Sequence, residues 1–363
     1  MLKIAFVDTY YPAVLRYFIC NFDKYPDRLS GLISLKFGTA DYYSEAFKSY
    51  GYDAIDIIGN DTVGQKLYMK ERGYSYSHDE DTTVRQVLDY QPDILYCQDL
   101  SFFTISHLKY FKRMGVKVLA AQHSCPWAGD DRIGAFDVIF TSFPHYLPKI
   151  EALGVRSEFL QIGFGGECLL DALGVNSSHF RDKDVSFVGG VNSRALNGNC
   201  GRSEGHWQSG TECLDLIAKE IPTFKWWGYS IGNELTEDLF RTYQGEAWGL
   251  DQYKIYSSSK IVVNRHGEIA AGYTNNMRCF ESTGCGAMLM TELSKNINDY
   301  FEVGKECVTY ANKDDLIDKL KYYLAHDDER KIIAEAGHKR TMRDHTYKNI
   351  LKSVSDTFNR MVW

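Results

Sequence analysis

No basic block runs through this sequence: its 41 Lys and Arg are interspersed among 48 Asp and Glu, and the formal net charge is −7. Such a chain offers no positive field for tracking a phosphate backbone, so nucleic acid is not expected as a partner. Nor is there an uncharged apolar run of about 20 residues, the length that crosses a bilayer. The N-terminus opens as a strand, without the basic-then-apolar layout of a signal peptide, and a soluble cytoplasmic protein is the expectation. Nine cysteines, at 20, 97, 125, 168, 200, 213, 279, 285 and 307, include no C-x-x-C pair. That usage suits a reducing compartment, and most of them read as small core residues. No His and Cys set has zinc spacing, no Gly-x-x-x-x-Gly-Lys phosphate loop occurs, and there is no Gly-x-Ser-x-Gly elbow. Two acidic triplets, Asp79-Glu80-Asp81 and Asp182-Lys183-Asp184, spell D-x-D. The first reads as part of a polar loop and the second precedes a strand instead of following one, so no metal site is expected.

What is present is length and rhythm. A chain of 363 residues exceeds the size at which one hydrophobic core keeps growing, which favours two domains of roughly 150 to 180 residues each. Short apolar runs alternate with helix-length amphipathic stretches throughout, the pattern of parallel sheets wrapped by helices. Strands are expected at 2–7, 54–58, 94–98, 116–121, 138–141 and 158–161, and again at 185–188, 224–227, 261–264, 287–291 and 307–310. This gives one doubly wound domain over 1–165, a Gly-containing linker at 166–184 and a second such domain over 185–345. A last helix, 346–363, is expected to pack back on the first domain. The Asn-, Gly- and Ser-rich stretch 191–210, with Arg194 and Arg202, reads as a mobile loop.

In open parallel sheets, ligands bind beyond the carboxyl ends of the strands. The residues just after the expected strands are therefore the site candidates. In the first domain these are Asp8, a general-base candidate for a displacement that inverts, and His123, whose side chain suits proton handling or a hydrogen bond to a hydroxyl. In the second they are Gly189 and Gly190, which permit close approach to a phosphate, Tyr229, which offers a ring face, and Arg265, a phosphate ligand. The most informative stretch is Lys260 to Thr291, which reads as strand, loop, helix, Gly turn and strand. Its loop, with Asn275 and Asn276, leads into a helix N-terminus whose free N–H groups and dipole make an anion site, to which Arg278 adds a bidentate phosphate contact. Glu281, one turn on, is placed to accept hydrogen bonds from ribose hydroxyls, and Gly284 and Gly286 let the helix pack closely on the next strand. An ordinary βαβ crossover with a surface Arg and Glu fits the spacing equally well.

The string from Asn276 through Phe301-Glu-Val-Gly304-Lys-Glu306, Lys321-Tyr-Tyr-Leu-Ala-His326, Glu329-Arg330, Ile333-Ala-Glu-Ala-Gly337 and His345-Thr-Tyr347 resembles the CgeB-like (spore-maturation) branch of the GT-B glycosyltransferases, related to glycosyl transferases group 1. Gly38-Thr-Ala-Asp-Tyr-Tyr43 and Gly51-Tyr-Asp53 are similar more loosely. The resemblance implies the GT-B fold, two Rossmann-like domains facing a central cleft. It implies a nucleoside-diphosphate sugar as co-substrate in the C-terminal half, with no other cofactor. An acceptor hydroxyl on a glycan, small molecule or protein, including a membrane-linked acceptor met at the bilayer surface, would be held by the N-terminal half and attack the anomeric carbon once the domains close. No metal is needed where arginines and helix N–H groups neutralise the leaving diphosphate. In related retaining families a Glu-x7-Glu motif spans this loop and helix. Glu281 matches its second Glu, whereas the first position is Tyr273, with Glu268 displaced by five residues. Retention of configuration is expected by family analogy. A GT-B sugar-nucleotide epimerase and a non-catalytic sugar-nucleotide-binding protein remain as alternatives.

Overall fold

The computed structural model describes residues 1–125, 127, 131–174, 181–192, 206–231 and 235–362. The chain divides into two units, 1–161 with 347–363, and 162–346. Both are Rossmann-like α/β domains built on parallel sheets.

In the first unit, β1 (Lys3–Asp8), β2 (Asp53–Ile58), β3 (Ile94–Cys97), β4 (Val118–Gln122), β5 (Val138–Thr141) and β6 (Arg156–Phe159) form one parallel sheet in the order β2-β1-β3-β4-β5-β6. Strands covered by helices on both faces read as continuous apolar runs, and β3 and β5 are buried at every residue. Asp8 pairs with Ile58 and Val7 with Cys97, so the loops that follow β1, β2 and β3 leave the same edge. The helix Tyr347–Val362 belongs to this unit. Tyr347, Leu351, Val354 and Phe358 recur at helical spacing and are buried, with the Phe358 ring against Phe47, Tyr96 and Phe140.

The second unit contains β7 (Lys183–Val188), β8 (Val191–Asn192), β9 (Phe224–Trp227), β10 (Ser230–Ile231), β11 (Ser259–Asn264), β12 (Met288–Glu292) and β13 (Val308–Tyr310). Five of them make a parallel sheet in the order β13-β12-β11-β7-β9, and β8 pairs with β10 alone. Its core includes Phe187, Leu214, Trp226, Val263, Met290 and Leu316. Trp226 is fully buried and donates its indole N–H to Leu239 O at 2.8 Å, which makes it a packing residue.

Each strand expected from the sequence overlaps an observed one, with β6 displaced towards its N-terminal side. The differences lie in the connections. The stretch 166–184 carries the helix Glu167–Leu173 and the first residues of β7. Asp79, Glu80 and Asp81 are the first turn of the helix Asp79–Tyr90 and not a loop, as carboxylates at the positive end of a helix dipole would favour. Gly284 and Gly286 admit close neighbours, but these are the Phe164 ring and the Arg181 guanidinium, which a Cβ would meet at 2.6 and 2.7 Å, not the next strand. Arg194 and Arg202 lie outside the described residues. Among the described residues no helix is long and apolar enough to cross a membrane.

Candidate functional site

The second sheet has its topological switch point between β7 and β11. The chain leaves β7 for β9 on one side and returns to β11 on the other, so the loops diverge and leave a crevice at the carboxyl edge. Gly189 and Gly190 follow β7, Gly228 and Tyr229 follow β9, and Arg265 and His266 follow β11. The structure brings these together. Gly189 N donates to Trp227 O at 2.9 Å, and the backbone of Gly228 lies so close to Gly189 that any Cβ there would collide with the Gly189 carbonyl. A Cβ at Gly189 would strike the Arg278 guanidinium, and one at Gly190 would reach the Tyr229 ring at 3.0 Å. The groups that approach the two glycines closely are protein groups, the Arg278 guanidinium at Gly189 and the Tyr229 ring at Gly190.

Two arginines converge on this edge. Arg278, 9% exposed, projects from the first turn of the helix Met277–Gly284 back to the end of β7. Its Nε donates to Val188 O at 2.8 Å and its Nη1 to Asn264 Oδ1 at 2.7 Å, while its Nη2 faces Gly189. Arg265 is equally buried and donates from Nη2 to Gly190 O at 2.9 Å. Both guanidinium groups lie over the Phe187 ring, at 4.4 Å for Arg278 and 5.7 Å for Arg265. Burial and then the neighbouring Arg278 charge pull the Arg265 pKa down to about 10. Arg278 has no carboxylate within ion-pair distance among the described residues. Glu292 near Arg265 and Glu281 near Arg278 offset part of the cost of burying two like charges side by side at the open end of a sheet.

The helix beside it adds N–H groups and constraints. Asn276 is its N-cap: Oδ1 accepts from Arg278 N at 3.0 Å, and Nδ2 donates to Arg265 O at 3.3 Å, tying the helix start to the end of β11. Asn275 keeps a buried Oδ1 with no partner among the described residues. The loop before it turns through positive φ at Ala271 (50°) and Gly272 (81°), a strained conformation for the alanine. Glu281 is buried, and its two oxygens accept from Gln252 Nε2 at 2.9 Å and Tyr253 Oη at 3.1 Å. Burial pushes its pKa up to about 7 against the opposing pull of Arg278 and these two donors. His266 is pushed down to about 4 by burial and by Arg278, so its ring is neutral, and its Nδ1 is buried without a partner among the described residues. Tyr229 is 37% exposed and stacks on Trp248 with centroids 6.1 Å apart. Gln252, Tyr253, Asn264 and Trp248 complete this edge and were not singled out from the sequence, because each acts through a partner far along the chain.

The two first-unit candidates stand apart from each other. Asp8 ends β1; its Oδ1 accepts from Thr9 N at 2.8 Å and its Oδ2 from Thr39 Oγ1 at 3.2 Å. Burial raises its pKa to about 6, with these two bonds opposing and Asp99 adding to the rise. His123 follows β4, buried among the rings of Trp127 and Tyr146 at 5.0 and 5.3 Å, with Nδ1 3.4 Å from Cys125 Sγ. One strand, β3, separates β1 from β4, which at the usual strand spacing sets their ends roughly 10 Å apart. Asp8 and His123 therefore do not form a hydrogen-bonded pair. No group of three or more His, Cys, Asp or Glu side chains among the described residues is arranged to hold a metal ion.

The sequence model of a glycosyl transferase-like family matches residues 211–356, which include Arg265, Arg278 and Glu281. No curated protein sequence matches the chain. In fold, the chain is similar to the Anabaena protein Alr3699/HepE in complex with UDP-glucose, at TM-score 0.57 and 12% identity over 99% of this chain and 100% of that one. It is similar to a sucrose-phosphate synthase from Thermosynechococcus elongatus, at TM-score 0.54 and 10% identity over 99% of both chains. A UDP-GlcNAc 2-epimerase from Neisseria meningitidis bound to UDP-GlcNAc follows at TM-score 0.50 and 11% identity, over 99% of this chain and all of that one. At such identities the likeness establishes the fold, the pair of Rossmann-like domains called GT-B.

Proposed function

We propose that this chain is a cytoplasmic, metal-independent glycosyltransferase of the CgeB-like branch, moving a sugar from a nucleoside diphosphate to an acceptor hydroxyl with retention of configuration. The second unit binds the donor. Arg278 Nη2, Arg265 and the N-terminal N–H groups of the helix Met277–Gly284 receive the diphosphate, with Gly189 and Gly190 giving it room. Glu281, oriented by Gln252 and Tyr253, accepts from the ribose, and Asn275 and Tyr229 line the remaining edge. The first unit binds the acceptor, with His123 bonding a sugar hydroxyl; Asp8 receives the proton of the attacking hydroxyl only in an inverting course, and in the retaining course that proton passes to the leaving diphosphate oxygen. In the reaction the bond from the anomeric carbon to the diphosphate oxygen breaks and one to the acceptor oxygen forms. The negative charge that develops on the leaving diphosphate falls where the buried positive charge is fixed.

One observation carries this reading: a buried Arg278 with no carboxylate within ion-pair distance among the described residues, side by side with Arg265 at the carboxyl edge of β7 and β11. Calorimetric titration with UDP-glucose tests it. Binding to the wild type, weakened at least tenfold by Arg278→Ala and by Glu281→Ala, is expected, since charge-assisted hydrogen bonds contribute about 1.5–3 kcal/mol each. Unchanged binding in both variants would remove the proposed cradle. The similarity to an epimerase supports a second reading, in which the enzyme converts the sugar nucleotide alone; the appearance of an epimeric sugar nucleotide without any acceptor would decide for it.

A further inference from the structure

Two buried polar atoms beside the proposed diphosphate cradle have no hydrogen-bond partner among the described residues: Nδ1 of His266 and Oδ1 of Asn275. A buried polar group left unpaired costs free energy, which a ligand that supplies the missing hydrogen bond recovers. The chain neighbours of these two residues are bonded to each other. Asn276 Nδ2 donates to Arg265 O at 3.3 Å, which brings the chain at 275–276 against the chain at 265–266. His266 is 7% exposed and held at both ends: its backbone N–H donates to Glu292 Oε2 at 2.9 Å, and its Nε2 lies 3.3 Å from Thr291 Oγ1. Thr291 is fixed in turn. Asn264 gives Oδ1 to Arg278 Nη1 and so turns its Nδ2 to Thr291 Oγ1, at 3.0 Å. The Asn264 that orients the Arg278 guanidinium therefore also sets, through Thr291, the ring whose Nδ1 is left unpaired.

The chemistry of the two atoms selects the group they take. Burial and then the Arg278 charge hold the His266 ring neutral, with the Glu292 main chain opposing. A neutral imidazole has one N–H and one lone pair, and the Asn275 atom is an amide oxygen, an acceptor. A diphosphate oxygen only accepts and cannot pair with an amide oxygen. A hydroxyl can, and it also pairs with Nδ1 in either tautomer, because it both donates and accepts. An ammonium would suit the amide oxygen, but the Arg278 charge that acts on His266 repels a second cation.

Position agrees with chemistry. The helix Met277–Gly284 carries Glu281 in its second turn and Arg278 in its first, and Asn275 stands just before the N-cap Asn276. A nucleoside-diphosphate sugar has its parts in the same linear order: ribose, diphosphate, sugar. With the ribose on Glu281 and the diphosphate on Arg278, the sugar falls at the N-terminal end of this row, at Asn275 and His266. We infer that His266 Nδ1 and Asn275 Oδ1 each bond a hydroxyl of the transferred sugar and so set which sugar the site accepts, since a site built to bond a hydroxyl rejects an analogue that lacks it. The inference rests on the donor reading of the second unit.

Substitution separates the two ring nitrogens. The amide of a Gln side chain reaches the place of Nε2 and that of an Asn side chain the place of Nδ1, so His266→Gln keeps the Thr291 contact and loses the sugar contact, and His266→Asn does the reverse. Calorimetry of the full chain with UDP-glucose, and with UDP as the same ligand without its sugar, reads the sugar contact as the ratio of the two affinities. His266→Gln and Asn275→Ala should each lower the ratio of UDP-glucose to UDP affinity about fivefold, the weight of one neutral hydrogen bond, with UDP affinity within about twofold of the wild type. His266→Asn should leave the ratio within about twofold of the wild type. One of the monodeoxy analogues of UDP-glucose should bind the wild type about fivefold more weakly than the parent, and this penalty should vanish in His266→Gln. A ratio unchanged in both His266→Gln and Asn275→Ala would overturn the inference and leave the diphosphate cradle standing. Equal losses for UDP and UDP-glucose would make the two residues supports of the loop and overturn it as well. A wild type that binds neither UDP nor UDP-glucose would remove the donor reading itself.

Discussion

The carboxyl edges of the two sheets are built on the same plan and carry opposite charge. In each, the first strand of the domain lies beside the second on one side and the third on the other. After the first strand come Asp8 and Thr9 in one unit and Gly189 and Gly190 in the other; after the third come Asp99 and Arg265. One edge has carboxylates in no ion pair among the described residues, the other two guanidinium groups over one Phe187 ring. Topology fixes where a ligand can sit, and the few residues beyond each strand decide its charge. The anionic donor proposed for the second unit suits the charge of its edge.

The comparison extends to the second strand of each sheet, which ends in a glycine: Gly59 after β2 and Gly228 after β9. Both touch the central loop. Gly59 N donates to Asp8 O at 2.8 Å, and Gly228 packs on the Gly189 carbonyl. The groups that a Cβ would meet differ, being the tip of the Phe102 ring for Gly59 and backbone for Gly228, which also has φ of 143°. A side chain can rotate away where a main chain cannot. Gly228→Ala should therefore destabilise by about 4 kcal/mol and Gly59→Ala by about 1 kcal/mol in urea unfolding. Equal losses would show that the second edge is no more rigid than the first.

The plan of the fold was legible in the sequence because it rests on local periodicity: apolar runs for strands, 3.6-residue spacing for helices such as Tyr347–Val362. The two-residue strands β8 and β10 are too short to leave such a trace. Candidate positions were legible in the same way, since they follow strand ends. Partners were not. That Glu281 is held by Gln252 and Tyr253, and Arg278 by Asn264 and Val188 O, depends on which helices and strands become neighbours, and no spacing rule encodes that. The acidic turn at 79–81 did carry a signal, because three acids in a row at the start of an amphipathic stretch mark a helix N-terminus. Its reading as a loop missed the helix.

Electrostatics sharpens the comparison further. Glu281 titrates near 7 in the fold and has an ordinary value of 4.5. A carboxyl group with a raised folded pKa binds protons more tightly in the native state. Stability is therefore undiminished below 4.5, falls as the pH rises through the interval to 7, and is lowest above it. Two and a half pKa units correspond to about 3 kcal/mol. Glu281→Gln should unfold like the wild type at pH 4 and be more stable by up to about 3 kcal/mol at pH 8, while binding UDP-glucose less well. No gain at pH 8 would mean that Gln252 and Tyr253 compensate the buried charge fully.

Asp8 is the counterpart in the first unit, with a smaller expected effect. Its pKa rises from 3.8 to about 6, burial leading and Asp99 adding to it, so the same sign applies over a lower interval: the cost is absent below 3.8 and complete above 6. The side chain is partly open to solvent at the sheet edge, which reduces the stability difference to about 2 kcal/mol at neutral pH. Asp8→Asn keeps an acceptor for Thr9 N and lets the Thr39 hydroxyl reverse its role, so the fold should persist and gain stability between pH 4 and 6. Sugar transfer should fall steeply in the same variant if the product is inverted and stay near the wild-type rate if configuration is retained, which the anomeric configuration of the product checks. A variant that loses both stability and sugar transfer would make Asp8 a structural support of the edge, and the proton would then have to leave by another group.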